Sequence, residues 1–442
     1  MKIPKNPPSQ REMIAQIGGD RLLECMEAVD SPTVDGKYLQ WDELRHRTPP
    51  DDLTLVEWWF GLKFKRMLRK WFPIRDLKGN RFSCVMLDSM QETLHFIDLN
   101  AGGTVQMAEV VTDADTRGHY VVRSLMEEAI TSSQLEGAAT TREEAKAMIR
   151  EGRDPRDRSE RMILNNYQTM LRIGQVKDRP LTKDLVFELH RMVTDGTLDD
   201  PTAAGRFRQA GEYRVVGDEY GEETYHRPPP DDQLEARMAA MCDFANGKTP
   251  EDFVHPAIRS IILHFWLAYD HPFVDGNGRT ARALFYWSML HHGYWLFEYV
   301  SISNFILKAP VRYGLAFLHT ETDDNDLTYF VVYHLEIINR AIKELHDYMR
   351  RRTRELREMD RELRGAALLN HRQRDLIRHA LRHPGWRYTV ETHKNSHGIV
   401  YQTARADLLD LSERGLMIKQ KIGRAFVFVP VADLEKRLGG ED

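Results

Sequence analysis

Twelve consecutive residues, His271 to Arg282, read HPFVDGNGRTAR and combine a histidine, a carboxylate, an amide, two glycines and two arginines. Gly276 and Gly278 suit a backbone that takes positive φ or comes close to a ligand. An ordinary histidine titrates near neutrality, so His271 suits a general base. Asp275 is a hard oxygen ligand, and Mg²⁺ commonly takes only one or two carboxylates and completes its shell with phosphate and water. Arg279 and Arg282 stand three residues apart, on one face of a helical turn, with planar forks that match phosphate oxygens. The apolar run that follows, with Leu284, Phe285 and Leu290, predicts a helix starting near Gly278. Its first turn offers unpaired N–H groups and the positive end of the dipole to an anion. Together these parts predict a polyphosphate site with a base beside it. A structural reading competes for each residue singly: His271 capping a helix, Asp275 in an Asx-turn, the arginines on surface acids. Unrelated structural needs rarely gather a base, a metal ligand and an anion nest in one stretch, so the set favours a site.

The flanking elements must hold that stretch. HPAIRSIILHFWLAYD (255–270), with Ile258, Ile261, Ile262, Phe265 and Trp266, predicts a centrally buried helix. VVRSLMEEAITSSQLEG (121–137), RSERMILNNYQTMLRIG (158–174) and TKDLVFELHRMVTDG (182–196) predict helices, each closed by a glycine. Residues 211–216 and 224–227 read as the arms of a β-hairpin ahead of the tract Pro228 to Pro230. Further upstream, 53–72 reads as an amphipathic helix, and 82–87 and 93–99 read as short strands. A charged helix is expected over 333–365. The 442 residues predict two to three domains. The divisions fall at 1–105, a docking or packing region or part of the central unit, 106–365 and 366–442. A net charge of -5 excludes a wholesale nucleic-acid coat but not a local basic patch. Three scattered cysteines, no signal-peptide pattern and no membrane-length apolar run predict a cytoplasmic protein without membrane association.

At every defined position, His271-Pro272-Phe273-x-Asp275-Gly276-Asn277-Gly278-Arg279-x-x-Arg282 resembles the Fic-domain signature HPFx[D/E]GN[G/K]RxxR. The resemblance implies a mainly α fold with a helical Fic core and a β-hairpin flap. It also implies transfer of AMP from ATP to a Ser, Thr or Tyr hydroxyl of a target protein or of the chain itself. His271 would then deprotonate the hydroxyl, and Asp275 would bind Mg²⁺. Gly276, Asn277 and Gly278 would form the anion hole, with Arg279 and Arg282 on the phosphate tail. Upstream, Ser132-Ser133-Gln134-Leu135-Glu136-Gly137 resembles the family's inhibitory motif [S/T]xxxE[G/N], so that Ser132, Glu136 and Gly137 imply autoinhibition, Glu136 pairing with Arg282. Removal of AMP and transfer of another nucleotide are alternatives for the same site, and family members often form homodimers. The hairpin would be a flap that holds a target segment by strand addition. The family's NRxxYY-like stretch is reduced here to Tyr313 in ILKAPVRYGL, without its asparagine, which leaves the adenine contacts open.

Residues 366–442 predict a C-terminal winged helix-turn-helix. Between Asn370 and Pro430 there are 11 Lys and Arg against 5 Asp and Glu, a local surplus of basic charge. DNA is therefore a candidate partner for 370–430, met by Tyr401, Gln402, Thr403 and Arg405. The competing reading docks this unit on a protein or on a second copy. A reading of another class makes the whole chain a DNA-binding transcriptional regulator with a ligand-sensing Fic-like domain.

Overall fold

Ser, Thr, Asp or Asn followed three residues later by Glu or Gln recurs along this chain, and that spacing closes helix N-termini. The computed structural model describes residues 2–50, 52–102, 114–212, 216–217, 223–365, 369–383, 385–397, 399–422 and 425–439. Two compact units emerge, one of residues 1–107 and 111–346, the other chiefly of 347–442.

The first unit begins with α1 (Gln10–Ile17), α2 (Gly19–Glu27) and α3 (Leu55–Lys65), with capping boxes at Ser9 with Glu12 and Thr54 with Glu57. The helix expected over 53–72 ends early: β1 (Arg69–Arg75) buries Phe72 and Ile74 and exposes Trp71 and Arg75, a period of two that only a strand supplies. It pairs antiparallel with β2 (Arg81–Val85). The strand expected over 93–99 is instead part of α4 (Asp88–Ala101). Met90, Leu94, Ile97 and Ala101 are its buried face, a helical spacing that overrides local β-propensity.

Next come α5 (Ala114–Leu135), α6 (Arg142–Glu151), α7 (Arg158–Val176) and α8 (Lys183–Thr194), the last three capped by Thr141, Asp157 and Thr182. α7 does not stop at Gly174 as its sequence predicts. Ile173 and Val176 are both buried, and that packing carries the helix past a glycine whose missing Cβ faces open space. Strands β3 (Val216–Gly217) and β4 (Thr224–His226) pair antiparallel, Val216 opposite His226. Of the expected first arm, Gly211 and Glu212 form no strand, and 213–215, like the turn residues 218–222, lie outside the described residues.

α9 (Leu234–Ala245) leads to the central pair, α10 (Pro256–Asp270) and α11 (Asn277–His291). Ile261, Ile262, Leu263 and Phe265 of α10, and Leu284, Phe285 and Trp287 of α11, have no exposed surface, so the signature between them is suspended from two core helices. α12 (Pro310–Thr322) and α13 (Thr328–Gly365) follow. The unit is mainly α, as its sequence predicts, and no helix among the described residues is long and apolar enough to cross a membrane.

The second unit holds α14 (His371–Arg382), α15 (Val390–His397), α16 (Tyr401–Glu413) and the antiparallel strands β5 (Met417–Ile422) and β6 (Ala425–Pro430). Ile377, Ala380, Ala404, Leu408, Leu411 and Phe428 form its own core. Buried Asp407 accepts hydrogen bonds from Asn370 and Arg372 at 2.7–3.0 Å and meets His393 at 3.2 Å, which fastens α14 and α15 to α16.

Candidate active site

The loop between α10 and α11 is built by its own side chains. His271 caps α10 in the left-handed region (φ 44°), its N–H donating to the Leu267 carbonyl. Asn277 closes the loop: its Oδ1 accepts from the Phe273 N–H at 2.9 Å and its Nδ2 donates to the Phe273 carbonyl at 2.8 Å. Both polar ends of the Asn277 amide are thus spent on shape, leaving backbone N–H groups as the anion donors this turn can offer. Gly276 sits at φ 81°, and a Cβ there would meet Thr194 Cγ2 at 2.5 Å. Gly276→Ala is therefore expected to cost about 2–4 kcal/mol, from a left-handed residue and an overpacked contact, read as a lowered thermal midpoint.

Two residues that the sequence did not single out brace this loop. His190 of α8 donates from Nε2 to the Asp275 carbonyl at 2.9 Å and accepts at Nδ1 from the Gly205 N–H, an arrangement for a neutral ring. Burial pushes it down to about 4. Arg208 donates from Nε to the His271 carbonyl at 2.9 Å, and its own N–H meets the Pro272 carbonyl.

The signature's charged groups divide into anchored and open ones. Arg279 is 1% exposed and donates to the Val193 carbonyl at 2.7 Å, with Asp275 Oδ2 at 4.0 Å. Asp275 takes the Gly276 N–H on Oδ1, while Oδ2 has the guanidinium of Arg158 at 3.6 Å; its side chain is 46% exposed. Burial lowers the pKa of His271 to about 4, and the positive field of His226 adds to this, so its imidazole is a neutral acceptor at physiological pH.

α5 meets α11 through a ladder with a four-residue step on both helices. Tyr286 donates to Glu128 at 2.8 Å. Arg282 donates from Nε to Ser132 Oγ and from Nη2 to the Ser132 carbonyl, at 2.8 and 2.9 Å. One step further, Arg282 Nη2 meets Glu136 Oε1 at 2.8 Å, and a Cβ on Gly278 would lie 2.2 Å from that oxygen. Burial works against the Arg282 charge, yet Glu136 more than offsets this and raises its pKa. The Ser132 carbonyl is free to accept because it lies in the last turn of α5, where carbonyls lose their helical partners. Gly137 (φ 90°) donates to the Gln134 carbonyl, and Ala138 reaches back to that of Ser133, a glycine-terminated stop that leaves Glu136 at the helix cap. Glu128 anchors the far end, accepting from Tyr286, from Ser301 at 2.9 Å and from Ser303 N and Oγ at 3.1 and 2.5 Å. A carboxylate at i−4 from Ser132, on a face with buried Leu125 and Ile130, was the signal in the sequence.

The structure thus brings Ser132, Glu136, Gly278 and Arg282 together, with Asp275 and Arg279 on the adjoining turn. Tyr313 bonds His264 Nε2 at 2.9 Å beside this cluster. Burial pushes its hydroxyl up to about 12.

Residues 180–289 match the Fic/DOC family. A protein adenylyltransferase Fic of Nematostella vectensis is 39% identical over 108 residues, which are 24% of this chain and 22% of that protein. One of Drosophila willistoni is 34% identical over 109 residues, 25% of this chain and 20% of that protein. The matches span about a fifth of the length of these curated relatives. Among solved structures, a Fic family protein from Desulfovibrio desulfuricans G20 superposes with a TM-score of 0.52 at 19% identity, covering 79% of this chain and 97% of that one, a likeness of fold. The matched segment contains the whole of HPFVDGNGRTAR, and residues 180–289 of this chain are a Fic/DOC domain.

Proposed function

We propose that this chain is a protein adenylyltransferase that moves AMP from ATP to a Ser, Thr or Tyr hydroxyl and that Glu136 restrains it. The observation that carries the reading is the 2.8 Å contact of Glu136 with Arg282 directly over Gly278, which fills the helix N-terminus suited to phosphate. In the transfer step the hydroxyl oxygen bonds to the α-phosphorus, the bond to the β-phosphate oxygen breaks, and pyrophosphate leaves. Neutral His271 takes the hydroxyl proton. The N–H groups at the start of α11 and the Arg282 guanidinium hold phosphate oxygens. Buried Arg279 keeps the turn in place through Val193 and adds its field.

The residues fit a divalent cation such as Mg²⁺. Asp275 offers a half-exposed carboxylate whose Oδ2 has no partner closer than 3.6 Å among the described residues. No group of three or more His, Cys, Asp or Glu gathers there among the described residues. One carboxylate with phosphate oxygens and waters as the remaining ligands is a common Mg²⁺ arrangement. The cation would supply charge neutralisation on those oxygens.

The test is to incubate the Glu136→Gly chain with Mg²⁺ and labelled ATP, GTP, UTP or CTP. Label on protein from ATP is expected; label from none of the four overturns the reading, and label from another nucleotide alone corrects the donor. Loss of label from an AMP-modified protein, caused by the unaltered chain, would instead assign AMP removal.

A second reading concerns 347–442, where the exposure of α16 favours a nucleic-acid partner for a winged helix. Tyr401, Gln402 and Arg405 are exposed at the start of α16, while Ala404, Leu408 and Leu411 on its other side are buried. A DNA mobility shift that weakens with salt and disappears in Arg405→Ala is expected. Binding that ignores salt, or no binding, counts against it.

A further inference from the structure

His226 lies on β4 with its side chain 9% exposed, and both ring nitrogens face acceptors. Nε2 is 2.7 Å from the Tyr269 carbonyl, and Nδ1 is 2.7 Å from Glu321 Oε2 on α12. A carbonyl only accepts, so Nε2 carries a proton. A carboxylate only accepts, so Nδ1 carries the second. The ring also tilts over that of Tyr269, with centroids 4.6 Å apart. Tyr269 stands two residues before His271, in the last turn of α10.

We infer that His226, as an imidazolium held between Glu321 and the Tyr269 carbonyl, is a positioning residue that latches the flap strand to the helix end carrying His271. This deepens the transfer reading and rests on it. The latch explains why a short pair of strands has a fixed seat beside the base: β4 itself contributes only three residues, and an isolated two-stranded hairpin is marginal in water. A second consequence is electrostatic. The groups around His226 are Glu321 from α12, Tyr269 and Asp270 from α10, Arg237 of α9 paired with Asp270 at 2.6 Å, Arg208 on the His271 carbonyl, and His271 itself. Burial opposes the charge on His226, but Glu321 outweighs it and raises the pKa above the usual 6.5, whereas His271 is held down to about 4. Neighbouring histidines are thus driven apart, one a charged clamp and the other a neutral base, the arrangement that separates roles in acid–base sites. For His226 the folded value is the higher one. Its stabilisation is therefore full below about 6.5 and is lost as pH rises through the folded value.

The test uses the full chain with ¹⁵N-labelled histidine. Long-range ¹H–¹⁵N spectra at pH 7 are expected to give His226 with both nitrogens protonated and His271 neutral. Glu321→Gln should return His226 to titration near its ordinary range. A neutral His226 at pH 7, or a titration unmoved by Glu321→Gln, overturns the inference. In the Glu136→Gly background, His226→Gln should slow labelling from ATP about tenfold or more, as expected for a misplaced acceptor side, with ATP affinity by calorimetry unchanged. Equal losses in labelling, ATP affinity and thermal midpoint would reduce His226 to a folding residue. If the Glu136→Gly chain labels nothing, the transfer reading fails, and the spectra alone decide the latch.

Discussion

Replacing Glu136 with glycine is expected to raise labelling from ATP by about ten- to a hundredfold over the unaltered chain, the span of one charge-assisted hydrogen bond. The direction follows from what Arg282 keeps. Its Nε remains on Ser132 Oγ and one Nη2 bond remains on the Ser132 carbonyl, so the guanidinium stays in place while the carboxylate that competes for it disappears. Glu136 caps α5 rather than sitting in its interior, so glycine there costs little helix stability, and the thermal midpoint should move slightly. Glu136→Gln separates charge from bulk: it keeps a side chain over Gly278 and should release activity only in part. Equal labelling by the unaltered and Glu136→Gly chains removes Glu136 from regulation.

His271→Ala in the released chain is expected to lower the rate by about a hundred- to ten-thousandfold, the range for losing a positioned general base. ATP affinity should be nearly unchanged, because in the proposed site the phosphates are held by the α11 N–H groups and Arg282 rather than by the imidazole. The pH profile gives an independent check. His271 is depressed to about 4, so on the acid side the rate should stay level below neutrality and fall only as pH approaches that value. The same shift has a stability consequence of fixed sign. Below the ordinary histidine value near 6.5 the unfolded chain binds a proton that folded His271 refuses, so stability declines as pH falls from there toward 4. A rate that falls already at pH 6.5 would mean a base with an ordinary environment.

How much of this could be read from the chain depends on the range of the interaction. The long apolar faces of α10 and α11 announced themselves, as did the twelve residues that join them and open α11, and the SSQLEG stop of α5. Local ambiguity misled at 93–99, where β-prone residues sit on a helical spacing, and at Gly174, where tertiary burial carries α7 onward. Asn277 was legible as a site residue but not in its task, because the bonds to Phe273 depend on the loop's closed shape. Glu128, His190, Arg208 and His226 meet their partners across 158, 85, 63 and 95 residues respectively, and no motif spans such distances.

If Glu136 restrains the site as proposed, the ladder between α5 and α11 also bears on the timescale on which that restraint lifts. Glu128 and Ser132 are 2% and 1% exposed and hold the helix through several bonds, whereas the Glu136 side chain is 29% exposed and holds through one. Release would then require a rotamer change of a single capping side chain rather than a slower displacement of the helix that presents it. In the proposed site, phosphate and the Glu136 carboxylate would then compete for Arg282 as alternative occupants at equilibrium.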